Sequence, residues 1–245
     1  MKKIKIFPLI LIICLALCAL APSASALDDP DLSAKAVLLA DLNSGEILYS
    51  KNAEEQRSPA SLTKIMTGLL AIEAIESGQC RMEDIVTAGA DAWTGMGEDA
   101  SNSNIQPGEQ MTYKDLLYCA IMHSANEACN VVAEYVCGSI SAFVERMNTR
   151  AQELGCTGTH FANPHGLPKD DHYTTAHDLY RITKEALSHE LFATICNTVK
   201  HTVPATNMSE ERTLSNTNGL INPDSPMYRG YYYEYAKGVK TGHTD

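Results

Sequence analysis

Apolar and polar positions along the chain fall into a short run of recognisable patterns. Lys2, Lys3 and Lys5 precede an apolar stretch from Ile6 to Leu20, and Ala24-Ser25-Ala26 follows it. A basic start, an apolar centre and a small-residue site describe a secretory signal peptide over residues 1–26. The stretch is short for a bilayer span, and Pro22 follows it at once. Cys18 is preceded by the bulky Leu17, which argues against a lipoprotein signal. Beyond a polar leader, Ala36–Ala40 and Glu46–Tyr49 flank Asp41-Leu42-Asn43-Ser44-Gly45 and predict two antiparallel strands around a turn.

The next segments read as helices. Ser58-Pro59-Ala60 breaks the chain, and Ser61 to about Glu76 is rich in Leu, Ile, Met and Ala, so it predicts a mostly buried helix with Ser61 at its N-terminus. Residues 88–110 are polar and punctuated by glycine, as in loops or short strands. Thr112 is placed to cap a helix from Tyr113 to about His123. Further helices are expected over Asn126–Cys137, Ser141–Leu154 and, capped by Thr174, Thr175–Ser188. Strands are expected at His201–Val203, at Arg212–Leu214 and over Ala236–Gly242.

Composition narrows the class. Removal of the leader takes away three lysines and no acids, so the net charge moves from −11 to −14 over 219 remaining residues. So acidic a chain is no partner for nucleic acid and presents no polybasic membrane patch. Its length suits one large domain or a domain with a helical lobe. Beyond the leader, Cys80, Cys119, Cys129, Cys137, Cys156 and Cys196 are spaced by 39, 10, 8, 19 and 40 residues, which matches no zinc pattern. They read as buried small hydrophobes, with one disulfide left open. His165, His172 and His177 lie seven and five residues apart, which fits no helical pair of metal ligands, and they read as loop and cap residues shaping a site rim.

Three short motifs carry the chemistry. Ser61-Leu62-Thr63-Lys64 stands at a helix start, Ser124-Ala125-Asn126 at a helix-to-helix junction, and Lys240-Thr241-Gly242 on an expected strand. Either of the first two patterns arises by chance roughly once in a chain this long, and Ser50-Lys51-Asn52 is such an accident. Their order and placement give the signal. A hydroxyl, a lysine one helical turn on, a second hydroxyl with an amide, and a cationic glycine-containing strand are the parts of acyl transfer without a histidine base.

The blocks Ser58-Pro59-Ala60-Ser61-Leu62-Thr63-Lys64, His123-Ser124-Ala125-Asn126-Glu127-Ala128, Asn163-Pro164-His165-Gly166-Leu167 and Gly238-Val239-Lys240-Thr241-Gly242-His243-Thr244 resemble those of serine-type D-Ala-D-Ala carboxypeptidases. These are the low-molecular-weight penicillin-binding proteins (peptidase S11) of the penicillin-recognising serine enzymes. The resemblance spans residues 27–245 and implies an α/β (α+β) fold of the β-lactamase/transpeptidase type, with an antiparallel sheet flanked by helices, a helical lobe, and the cleft between them. It implies Ser61 as nucleophile, Lys64 as base and Ser124 as proton relay. Asn126 would hold Lys64 and the substrate amide, Lys240 and Thr241 the terminal carboxylate, and Gly242 would leave room for the peptide. The oxyanion would be held by the backbone N–H groups of Ser61 and His243. The substrate would be a peptidoglycan stem peptide, cut outside the cytoplasm, with β-lactams as covalent inhibitors and neither metal nor organic cofactor.

A class A β-lactamase is the nearest rival, but Ala125 stands where that class has aspartate, and no Glu-x-x-Leu-Asn lies between Asn126 and Lys240. A non-catalytic binder of wall fragments or β-lactams would have no need of an activated serine. The resemblance also implies further strands, a carboxylate-binding arginine and often an anchor domain beyond Lys240–Gly242. None can be placed on this sequence, so the domain is expected to be C-terminally truncated, with any membrane association carried by a region beyond Asp245.

Overall fold

The computed structural model describes residues 32–225 and 230–243. The expected leader over 1–26 lies outside them. Contacts divide the chain into Met1–Lys35, of which residues 32–35 are described and form no helix or strand, and Ala36–Asp245, which holds every element below.

The chain of the second unit begins with β1 (Val37–Ala40) paired antiparallel with β2 (Ile47–Lys51), Leu39 facing Tyr49, with an irregularity between Leu39 and Ala40. The turn between them is built by Asp41, whose Oδ1 accepts from the backbone N–H groups of Asn43 and Ser44 and from Ser44 Oγ. These bonds hold the Asp41 carboxyl below its ordinary pKa.

A tight turn over Ala60–Thr63 leads into α1 (Lys64–Glu76), with ten of its thirteen residues buried. A helix apolar on every side belongs in a core, and α1 is the axis of this one. β3 (Ile85–Thr87) and β4 (Gln110–Thr112) pair antiparallel. Thr112 Oγ1 then caps α2 (Tyr113–Leu117) by accepting from Asp115 N, as expected. The same helix loosens into a π-helical turn over Tyr118–Met122. α3 (Asn126–Cys137) ends at Gly138 and α4 (Ile140–Glu153) is capped by Ser139 Oγ on Ala142 N. α5 (Ala176–Leu187) is capped by Thr175, one residue later than the sequence suggests, because its hydroxyl and not that of Thr174 reaches Asp178 N.

α6 (Glu190–Asn197) was not expected. It is two turns long, and its apolar positions Leu191, Phe192, Ile195 and Cys196 repeat too few times to announce a period. Phe192 is fully buried with Phe143 and Phe161 in the common core. Each such ring contributes about 1.5–3 kcal/mol through burial. β5 (Lys200–Val203) and β6 (Arg212–Ser215) close the set as an antiparallel pair.

Two expectations are corrected. The described strands form three separate two-stranded pairs, where one sheet was expected. The segment Ala236–Gly242 is irregular, where a strand was expected. Gly238, at φ +71°, leaves the extended region, and its carbonyl accepts from the Asn218 side-chain amide, not from a neighbouring strand's backbone. All six cysteines named above are free and five are buried, in line with their reading as small hydrophobes. Among the described residues no helix is long and apolar enough to cross a membrane.

Candidate active site

Several separate segments meet at one cleft of about 410 Å³. Ser61 comes from the turn before α1, Ser124 and Asn126 from the junction before α3, and Thr241, Gly242 and His243 from the end of the described chain. Residues 97–101 and 166–168, with Thr217, complete its walls. Lys64 and Lys240 are not among the lining residues.

Lys64 is fully buried, and its three amine N–H directions each meet an acceptor: Ser61 Oγ at 3.0 Å, Asn126 Oδ1 at 2.6 Å and the His165 carbonyl at 2.7 Å. A neutral amine keeps two N–H groups and gains a lone pair. With the two short bonds to Asn126 and His165 retained, that lone pair points at Ser61 Oγ. Burial lowers the Lys64 pKa to about 8, against the opposing influence of Cys129 and Glu127. Burial, and after it the Lys64 cation, lower Lys240 to about 7. The Lys240 amine donates to the Thr241 carbonyl at 3.1 Å.

The junction carrying Ser124 has a specific construction. His123 N donates to Tyr118 O and Ala125 N to Cys119 O, so the chain leaves α2 through a widened turn. Ser124 follows at φ +68°, a conformation that costs a non-glycine residue of order 1–3 kcal/mol. The reversal turns the Ser124 and Asn126 side chains to the same cleft, although they stand two residues apart.

The loop Asn163–Leu167 backs the nucleophile turn. Pro164 O accepts from Thr67 Oγ1, His165 O accepts from Lys64, and Asn163 Oδ1 accepts from His165 N and Gly166 N. Gly166 has φ +98°, and a Cβ placed there would lie 1.9 Å from Ala60 O. Gly166→Ala is therefore expected to cost about 3 kcal/mol or more, from left-handed strain plus overlap with backbone. Its Tm should fall roughly 6–12 °C on that basis. Gly95→Ala, at φ +79° with open space around it, isolates the strain and should cost about a third as much. Equal melting shifts for the two variants would contradict the overlap.

His165 and His172 are buried and not among the residues lining the cleft, which corrects their reading as rim residues. His172 Nδ1 accepts from Ala162 N, so its Nε2 carries the proton donated to Thr63 Oγ1. Burial lowers His165 to about 3 and His172 to about 4, so both are neutral props. His177 pairs with Glu54 at the surface. A carboxylate and imidazole group, Glu73, Glu185 and His189, could offer ligand atoms to a metal, but Arg150 already donates to both carboxylates, and none of the three lines the cleft.

Sequence reasoning missed Thr217, whose Oγ1 lies 2.8 Å from Thr241 Oγ1, and it missed the 97–101 wall. The only sequence signal for Thr217 is the polar triplet Asn216-Thr217-Asn218, which reads as a turn yet is buried throughout. A Cβ on Gly242 would meet Leu62 Cγ at 3.1 Å and Pro59 O at 3.3 Å, so this glycine lets the segment lie against the nucleophile turn.

The profile of the D-alanyl-D-alanine carboxypeptidase family, Peptidase S11, matches residues 23–245. The chain is 37% identical over 240 residues to D-alanyl-D-alanine carboxypeptidase DacF of Bacillus subtilis, covering 96% of this chain and 58% of that one. It is 34% identical to DacA of Escherichia coli (strain K12), covering 94% and 57%. Among solved structures, penicillin binding protein 6B of Escherichia coli superposes with a TM-score of 0.77 at 31% identity, over 90% of this chain and 66% of that one. A point mutant of the Streptomyces K15 DD-transpeptidase gives 0.77 at 27% identity, over 88% and 83%. The chain thus spans somewhat more than half the length of these curated relatives, and it has the fold of the penicillin-binding transpeptidases.

Proposed function

The chain belongs to the D-alanyl-D-alanine carboxypeptidase family, Peptidase S11, and from that premise we propose that residues 27–245 carry the catalytic machinery of a serine-type D-Ala-D-Ala carboxypeptidase acting in peptidoglycan maturation. The observation that carries this reading is the Lys64 amine, buried, lowered to about 8 and 3.0 Å from Ser61 Oγ.

Ser61 Oγ attacks the carbonyl carbon of the penultimate D-alanine while its proton passes to neutral Lys64. Backbone N–H groups of Ser61 and His243 hold the oxyanion. The C–N bond then breaks, and the proton reaches the departing amine through Ser124. Water hydrolyses the acyl-enzyme, releasing the shortened peptide and restoring Ser61.

Thr241, on the cleft wall, binds the substrate carboxylate, and Lys240, part-buried behind it, contributes its charge. That anion favours the charged form of Lys240. A β-lactam presents a comparable carbonyl and carboxylate and acylates the same serine. The N-terminal leader delivers the domain outside the cytoplasm, where the stem peptides are.

Mass spectrometry of the protein with a stem peptide ending in D-Ala-D-Ala should show free D-alanine, and penicillin should add its mass to the peptide containing Ser61. Release of D-alanine without any adduct on Ser61 would overturn the assignment.

A further inference from the structure

Glu127 follows Asn126 in α3, is fully buried, and has no role in the steps above. Its Oε1 accepts from Ser103 N at 2.7 Å and from Ile105 N at 3.2 Å, in a stretch that has no regular structure. Two residues before that stretch's first anchor, Ser101 O accepts from Asn126 N at 2.8 Å. Ser101, Ala100 and Asp99 are wall residues of the cleft. The other carboxylate oxygen, Oε2, is buried without a hydrogen-bond partner.

A loop staple would need an acceptor, and a neutral glutamine or asparagine supplies one. A carboxylate buried with an idle oxygen is a costly way to make the same two bonds. The ionisable groups facing it are Lys64 of α1, Cys119 of the π-helical turn and Cys129 on its own helix. Burial pushes the Cys119 thiol up to about 12 and that of Cys129 to about 11, so both are neutral. Burial raises the Glu127 pKa above the ordinary carboxylate range, and the Ser103 and Ile105 N–H groups and the Lys64 cation oppose that rise. Lys64 is then the cation that answers Glu127, and each favours the charged form of the other.

We propose that Glu127 is a positioning residue for the Ser61–Lys64 pair, one carboxylate that ties the 103–105 stretch, next to the 97–101 wall, to the start of α3 and sets the charge opposite the base lysine. This rests on the functional reading above. Its hydrogen bonds fix where Asn126 and the wall stand. Its charge holds Lys64 protonated to a higher pH than burial alone would, keeping the resting amine bonded to all three of its acceptors until substrate arrives.

The test is the pH profile of Ser61 acylation by fluorescent penicillin in the full chain, for wild type, Glu127→Gln, Glu127→Asp and Glu127→Leu. Glutamine keeps the size and one acceptor but removes the charge, so Lys64 deprotonates more easily. The rising limb should move about 0.5 pH unit toward acid, and below it acylation should run roughly threefold faster than wild type. Aspartate keeps the charge with a shorter reach, so its limb should stay in place while the plateau drops several-fold. Leucine abandons both N–H groups and should lose at least about tenfold at every pH. Melting curves identify any variant that fails to fold, and the Gln and Asp variants then each carry the test alone. An unmoved limb in Glu127→Gln, or equal movement in Glu127→Asp, overturns this inference. Wild-type protein that takes no label at Ser61 overturns the functional reading, and this inference with it.

Discussion

Ser61→Ala is expected to abolish acylation by penicillin and D-alanine release, with a loss of about 10⁴-fold or more, since no other group replaces a missing nucleophile. The fold should survive. Ser61 is partly exposed, and its side chain's bond is to Lys64, which keeps Asn126 Oδ1 and His165 O as partners. Stability within about 1 kcal/mol of wild type is therefore expected, by denaturant titration alongside the labelling time course. A stable Ser61→Ala protein retaining even a hundredth of wild-type acylation would mean that another residue forms the acyl-enzyme.

Replacing the base gives the second large effect, and pH separates its causes. Activity needs neutral Lys64, so acylation by wild type should rise with pH through a midpoint near 8. Lys64→Arg keeps a charge that cannot be lost near neutrality and should fall about 10²–10⁴-fold, with that limb gone. Lys64→Met removes the charge as well as the base. It relieves the desolvation of a buried cation, yet leaves Asn126 Oδ1 and His165 O buried without their donor, at about 1–3 kcal/mol each. Its residual rate should be flat across the same range. A Lys64→Met protein with the wild-type limb would assign that limb to another group, with Lys240, at about 7, the first to examine.

Much of this molecule is legible before folding because the deciding interactions are short in sequence. The caps at Thr112 and the glycine ends at Gly138 and Gly155 are read from residues within one turn of the helix ends they close. The burial of α1 follows from its own composition. α6 and the irregular course of Ala236–Gly242 are harder. The first is too short to show a period, and the second depends on Asn218, whose amide takes the Gly238 carbonyl from 20 residues away.

The site divides along the same line. Ser61 and Lys64 stand three residues apart, so one turn of helix brings hydroxyl and amine together, and the sequence by itself determines that pair. Asn126 is 62 residues from Lys64 and reaches it only because the chain reverses at Ser124, in a backbone state that no residue-type preference for serine predicts. The third acceptor on the lysine is the carbonyl of His165, 101 residues away. Every residue carries a backbone carbonyl, so its use here leaves no mark on the residue type. Glu127 is likewise an ordinary helical glutamate until the fold buries it beside Lys64. Local spacing named the reacting groups. The protonation state of the base, and the wall that frames it, were decided by tertiary structure, because burial and opposing charge are properties of neighbours that the chain brings together from afar.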